Sequence, residues 1–432
     1  MTLIALAPLL ATLAGADAPA GLPALTLDAA LDELERQSLT LAQARSRADA
    51  AQAVVREALA PLLPTAGAGV SWVRNSDAAE LSLPPPLGPR TVVIQPLHSA
   101  TVSASLRLPL LSPSAWYDLS LARDAARAAD LSAAATRLSL RTSLAQAAHL
   151  AVAGEEEVAA AERAVENAEE LVHSAERRVR AGTAAPLEIT RAQAELVRRQ
   201  SDLAGTRAAL DRERLAVGVL LGREQPVRVE VPEVEAAPLP GLGADGDALV
   251  AEALDRRPEV AAQAAEERAA EAGIRSAWAR LAPELSASAS IFEADVPYLT
   301  GKKDGWRASL DLTWQLYDGG LRYGKVREAE AQAAGARAGL AAQRLSVRRE
   351  VQDARRDLEV AVEQLRLAHA QLGLAGDSAA SIRRSFDAGV ASSLDVIDAN
   401  DRLYLADSGL AAARARLGLA RLALQLALGR EG

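Results

Sequence analysis

The chain has 432 residues, half of them apolar but only 3% aromatic, with a net charge of −9 and no cysteine. Alanine and leucine therefore carry the apolar content, which suits long helices packed side by side better than an aromatic-rich globular core. The charge excludes a nucleic-acid partner, whose phosphates demand a basic surface, and the missing cysteines exclude disulfides, thiolate metal sites, cysteine nucleophiles and a lipid-modified N-terminal cysteine.

Residues 1–18, MTLIALAPLLATLAGADA, form a short apolar run ending in small residues and read as a secretory signal peptide, although no Lys or Arg precedes the run and Pro8 interrupts it. No other uncharged stretch reaches roughly 18 apolar residues, so any crossing of a membrane falls to β-strands. An amphipathic helix is expected from Leu27 to about Leu59, ended by Pro61 and Pro64. Thr65 to Arg74 and Thr101 to Leu110 then alternate at period two, the signature of strands. Val102, Ala104, Leu106 and Leu108 share one face, and Thr101, Ser103, Ser105 and Arg107 the other. Pro84, Pro85, Pro86 and Pro89 lie between the two strands and predict an exposed loop there.

From about Trp116 to Arg180 the helical pattern is nearly unbroken, on the order of 95 Å at the usual rise per residue and far longer than a helix inside a globular domain. Val158, Val165, Val172 and Val179 recur every seven residues, a coiled-coil seam. AGTAAPLEITRAQAEL (Ala181 to Leu196) breaks at Gly182 and starts a returning helix seamed by Ile189, Leu196, Leu203, Leu210 and Val217, which ends in LLGRE. A Pro- and Gly-rich linker, 225–246, holds VRVEV (Val227 to Val231), a candidate short strand.

The same programme then repeats. A helix is expected from about Asp247 to Leu281, strands at Leu285 to Phe292 and Arg307 to Tyr317, a turn at Asp318 to Gly320, and a long helix to about Phe386. In the second of these strands Leu310, Leu312, Trp314 and Leu316 fall on one face. AGVASSLDVIDANDRL (Ala388 to Leu403) is the second tip, and the last helix ends in ALGRE. Gly182 and Gly389 are 207 positions apart, and the heptads around them keep that register, which chance does not do. The chain therefore divides into a leader (1–18), a first repeat (19–224), a linker (225–246) and a second repeat (247–432). Four strands are too few to close a barrel. Several copies giving four each would close one, and the long helices would continue it as a tube across a wide aqueous gap.

Two tandem copies of helix, strand pair, long helix, AG turn and helix, with YDGG after the last strand and AGxxxxLDVxxA at the tip, resemble the TolC-type outer-membrane efflux proteins from about Leu27 onward. The resemblance implies a mainly α fold with a β-barrel portion, in which tandem-duplicated helical hairpins form a trimeric α-barrel capped by a twelve-stranded transmembrane barrel. It implies a homotrimer in the outer-membrane lipid, extending into the periplasm, where its tip meets a periplasmic adaptor and an inner-membrane pump. The function expected is that of an exit duct for efflux or type I secretion, without catalysis, cofactor or metal. A periplasmic coiled-coil scaffold or adaptor is the alternative, and the tandem duplication with its two strand pairs argues against it.

At the tip, the family pattern implies an acidic entrance ring of Asp395 and Asp398, whose pKa values would rise in a tight aperture. The same two residues also suit the first turn of a helix, where acids favour the macrodipole. Glu188 is the counterpart of Asp395 in the first repeat. Phe386 stands where a tyrosine of the best-known gate would be, and Ala391 where an arginine can appear, so closure is expected from helix packing and the acid ring. Gly182 and Gly389 end long helices in the left-handed conformation. Arg178, Thr183, Val390 and Leu394 are the expected adaptor contacts, and Trp116 and Trp306 the membrane-interface belt. His98, His149, His173 and His369 form no short-spaced ligand cluster, and GLGADG (Gly241 to Gly246) lacks the Lys and Ser/Thr of a phosphate loop.

Overall fold

The computed structural model describes residues 24–83, 90–232, 245–298 and 301–430. The expected leader, the proline run and most of the linker lie outside them. The chain begins with β1 (Ala24–Thr26), α1 (Leu27–Gln37), α2 (Leu39–Leu59) and β2 (Thr65–Arg74), then β3 (Ala79–Leu83), β4 (Arg90–Gln95) and β5 (His98–Leu111). The first hairpin, α3 (Pro113–Arg180) and α4 (Leu187–Leu220), is followed by β6 (Arg228–Glu230). The second half runs α5 (Gly246–Arg256), α6 (Pro258–Ala279), β7 (Glu284–Ala294), β8 (Asp304–Thr313), α7 (Leu321–Asp387) and α8 (Ser393–Ala427). The chain gathers into two compact units, each drawing on both halves. One holds Arg45–Ser132 and Glu259–Gln343, and the other the remaining described residues.

The first of these units is built on an antiparallel sheet in the order β2-β5-β7-β8. Its strands are 10, 14, 11 and 10 residues long, close to what a tilted strand needs to cross a bilayer. Register places Val70 beside Val102, Leu106 beside Ala289, and Ile291 beside Trp306, so one face is apolar across all four strands. The opposite face pairs Gly67 with Ser105, Arg107 with Ser288 and Ser290 with Arg307. The apolar face is left open: Val70 is 77% exposed, Trp306 78% and Leu310 67%. Gly305, the second residue of β8, is glycine because a side chain there would meet the ring of Phe292 at 2.7 Å. Where the strands meet the helices, Ser276 donates to Asp118 at 2.5 Å and Arg322 to Asp318 at 2.6 Å.

The other unit joins the two helical hairpins to a two-stranded parallel sheet of β1 and β6. Ala30, Leu31 and Leu34 of α1 pack with Leu144 and Ala148 of α3, Val217 of α4 and Leu221 at its end, and Val227 and Val229. Two equivalent clasps hold the ends of the returning helices. Arg223 of LLGRE donates two hydrogen bonds to Glu33, both 2.7 Å, and Arg430 of ALGRE donates two to Glu252, both 2.9 Å. Such bidentate pairs fix orientation as well as distance. The Arg430 hydrogen bonds hold the Glu252 carboxyl below its ordinary value.

Several sequence expectations are corrected. The helix expected over Leu27 to Leu59 breaks at buried Ser38, which takes an extended backbone and accepts from the amide of Leu41 at 3.4 Å, starting a second helix. The helix expected from Asp247 to Leu281 breaks at Arg257, extended as residues before proline prefer, so that Pro258 opens α6. The connection between β2 and β5 is no plain loop but carries the hairpin of β3 and β4. The strand expected to reach Tyr317 stops at Thr313, because its partner β7 begins at Glu284 and offers nothing further to pair with. Trp314 and Leu316 therefore leave the strand face, and the Trp314 indole donates to the carbonyl of Leu281 at 3.1 Å. β1 carries no alternation at three residues and escapes sequence reading.

His149 on α3 is partly buried, and that burial, helped by the charge of Arg421, pushes its pKa down to about 4 from 6.5. A depressed folded pKa means that the unfolded chain binds the proton first. The stabilisation is complete above pH 6.5 and is lost as pH falls toward 4. His149→Gln is expected to flatten the fall in thermal midpoint over that window, removing a pH-dependent contribution on the order of 2–3 kcal/mol. Calorimetry of both proteins in detergent checks it.

Candidate functional site: the paired hairpin tips

The tips are shaped first by backbone. Gly182 (φ 71°) and Gly389 (φ 76°) take the left-handed conformation that a side chain resists. At the first tip the Gly182 amide donates to the carbonyl of Val179, and the Thr183 amide to Arg178, both at 3.0 Å. At the second, Gly389 donates to Phe386 and Val390 to Ser385, both at 2.9 Å. This is the same double closure of a helix end, met at equivalent positions. The Thr183 hydroxyl adds a third bond to Arg178, at 3.1 Å.

The helices that follow start differently. Ser392 caps α8 in a capping box: its hydroxyl accepts from the Asp395 amide, while the Asp395 carboxylate accepts from the Ser392 amide at 2.8 Å. That backbone bond, then the bond from the Ser392 hydroxyl, holds the Asp395 carboxyl below its ordinary value. In the first repeat the position equivalent to Ser392 is Ala185, and α4 starts with no side-chain cap. Glu188 caps no amide of its own helix and accepts there only from the Arg191 side chain, at 3.4 Å. It accepts from the amide of Ser393 at 3.1 Å, supporting the first turn of α8 from the other hairpin.

Above this contact, Phe386 is almost fully buried among Leu171, Val172 and Ala175 of α3, Ala192 of α4 and Val396 of α8, with Ala391 packed against the cluster. The guanidinium of Arg178 lies over the Phe386 ring, 4.3 Å from its centre, a cation–π contact between α3 and α7. Further up, Arg199 is buried on α4 and bonds Glu195 at 2.7 Å. Arg199 also pairs with Asp401 of α8 and lies over the ring of Tyr404. Arg198 bonds Glu195 and Asp401 as well. Arg163 donates to Asp407 at 2.6 Å.

The structure brings together Arg178 with Phe386, and Glu188 with the start of α8. It does not join Asp395 to Asp398, since Asp395 serves its own cap and Asp398 pairs with Arg402 one turn on, at 2.8 Å. Val390 (85% exposed) and Leu394 stand clear of the core, as does Leu187, the repeat equivalent of Leu394. Trp306 and Trp116 belong to the other unit, the first on the open face of β8 and the second in the first turn of α3. Sequence reading missed the Arg199 network, Ser393 and both clasp partners. The one signal at hand was the repeated arginine of LLGRE and ALGRE.

What such a tip does is hold two helical hairpins together at their turns through packing, one cation–π contact and one borrowed cap. No helix is long and apolar enough to cross a membrane among the described residues, and they hold no cluster of metal-ligating residues. A sheet of membrane-spanning length, apolar on one side and polar on the other, and two long helical hairpins in the same chain are the parts of a β-barrel and helical-tunnel channel. The family model described as outer membrane efflux protein matches residues 30–223 and 249–430, and the chain belongs to that family.

Solved structures agree on the fold. The outer-membrane channel OprN is 21% identical, with a TM-score of 0.79 over 94% of this chain and 90% of its own. The outer membrane protein VceC from Vibrio cholerae is 19% identical, with a TM-score of 0.77 over 94% and 96%. The open state of the Neisseria gonorrhoeae MtrE channel is 19% identical, with a TM-score of 0.78 over 94% and 89%. A search of curated proteins found no match. The protein is an outer-membrane exit duct for efflux with a periplasmic extension, in a transport family that does no catalysis. Channels of this family are trimers that work with adaptor and inner-membrane pump proteins.

Ser392→Ala is expected to cost about 0.5–2 kcal/mol and to speed amide exchange in the first turn of α8. Phe386→Ala is expected to cost about 3–5 kcal/mol, by leaving a cavity among four helices. Hydrogen exchange followed by mass spectrometry separates them: the first loosens one turn, and the second both hairpins.

Proposed function

We propose that this chain works as a homotrimer, whose three sheets close one twelve-stranded barrel and whose tips meet a periplasmic adaptor coupled to an inner-membrane pump. The observation that carries this is the sheet with its open apolar face and its two unpaired edges, β2 and β8. An exposed edge is a template for another strand. The antiparallel order makes β8 of one copy run opposite to β2 of the next, so a ring of copies continues the same pairing. On the long helix α7, Val360, Leu367 and Leu374 form an exposed apolar stripe of seven-residue spacing, suited to a neighbouring helix. Trp306 and Trp72, near the loop ends of their strands, and Trp116, at the helical end, suit the two interfacial belts of a bilayer-spanning barrel.

At the tips, Arg178 on Phe386 and Glu188 on the start of α8 keep the hairpins of one subunit together. Asp398 and Asp395 supply negative charge to the entrance, and the low pKa of Asp395 keeps it ionised there. Val390, Leu394, Thr183 and Arg178 lie at the tip, where an adaptor hairpin would dock. The leader at 1–18 and the two repeats, 19–224 and 247–432, joined at 225–246, form the plan of one exported, duplicated subunit.

The deciding experiment is mass measurement of the detergent-purified protein with recording in a planar bilayer. A trimer with discrete currents is expected, and a non-conducting monomer rejects the reading. In the same recordings, Glu188→Ala with Arg178→Ala is expected to raise conductance by loosening the tip. Asp398→Asn is expected to lower cation preference without the damage to the α8 cap that Asp395→Asn would cause.

A further inference from the structure

The polar face of the sheet carries two cations inside the band that the opposite face marks as apolar. Arg107 of β5 lies beside Ser288, and Arg307 of β8 beside Ser290, one pleat repeat further along β7. On the other face, at the same height, stand Leu106, Leu108, Ala289, Ala308 and Leu310, exposed or open to the surrounding medium. Both arginines are exposed, and neither has an ion pair or side-chain hydrogen bond among the described residues. The nearest acid on that face is Asp311, one pleat repeat from Ser309, whose hydroxyl it accepts at 2.8 Å. The rest of the face at this height is Thr65, Gly67 and serines, small side chains that leave the guanidinium groups uncovered.

Ionisable groups at membrane depth are costly and are kept where they meet water or a solute. With the barrel closed as proposed above, on which this inference rests, the polar face becomes the lumen. The two rows that hold Arg107 and Arg307 contain no acid, Asp311 and Glu284 lying one and two pleat repeats toward the helical end, so each chain gives two positive charges to one belt, surrounded by a low-dielectric wall that carries its field inward. We propose that Arg107 and Arg307 form an anion-binding belt in the barrel lumen, taking solutes with clustered phosphate or carboxylate groups. Guanidinium groups match those oxygens bidentately, and serine hydroxyls around them donate as well. The duct then holds acids at its tip and an opposite charge in its barrel. An anionic solute that has passed the tip is drawn forward instead of meeting a second negative ring.

The test is block of single-channel current by inorganic tripolyphosphate added on the barrel side at low salt. Half-blocking concentrations are compared between the natural protein, Arg107→Gln with Arg307→Gln, and Arg107→Lys with Arg307→Lys. The glutamine pair is expected to raise the half-blocking concentration about ten-fold or more, and the lysine pair to change it only a few-fold. Equal block in the natural and glutamine proteins overturns the belt while leaving the channel intact. Absence of current in the natural protein overturns the channel reading, and the belt with it. If the double glutamine protein does not insert, the single variants give the same reading. Each is expected to weaken block, and two single variants that block like the natural protein reject the belt.

Discussion

A sheet that is apolar on one side, polar on the other and unpaired at both edges has no comfortable place in water. The backbone groups of β2 and β8 want strands, and Val70, Leu310 and Trp306 want hydrocarbon. This one constraint explains why the chain can be so poor in aromatics and still form an integral membrane protein. Its membrane surface is a thin stripe of alternate residues on four strands, and its helices need no apolar span. It also explains why the polar face is small and hydroxylated. Glycine and serine keep the polar face low, and the charges placed there stand out.

The helical part obeys a different rule. Long hairpins of alanine and leucine pack closely but non-directionally, so register and pairing are held by sparse polar contacts at fixed heights. Arg178 on Phe386, Arg199 with Asp401, Arg163 with Asp407 and the two arginine clasps mark such heights. Each joins segments that are distant in sequence. Together they set how the hairpins lie against each other, while the heptads between them supply the bulk of the burial.

Much of this fold was legible from residue order. Period two in Thr101 to Leu110 and period seven in Val158 to Val179 are local signals, and the structure places strand and helix on both. The glycines at 182 and 389 likewise announce their turns. The break at Arg257 was also written locally, since a residue before proline avoids helix, but the strong helical pattern on either side hides it. The break at Ser38 was not, because a serine inside a helix is common and only its burial makes it a cap. The short strand Ala24–Thr26 exists through its partner β6, about 200 residues away, and has no pattern of its own. The same applies to the site. Its residue types were visible at the tip, but Glu188 reaching Ser393 and Arg430 reaching Glu252 join points that no spacing rule connects.

The exchange of Ala185 for Ser392 between the two tips has an effect out of proportion to one hydroxyl. In a duplicated chain, two identical tips would be two independent parts, each able to open or shift alone. Here one tip completes its own helix, and the acid of the other, lacking that means, bonds its neighbour as well as Arg191 of its own helix. The copies have become a lender and a borrower. The first turn of the second returning helix therefore rests on the position of the first tip as well as on its own cap.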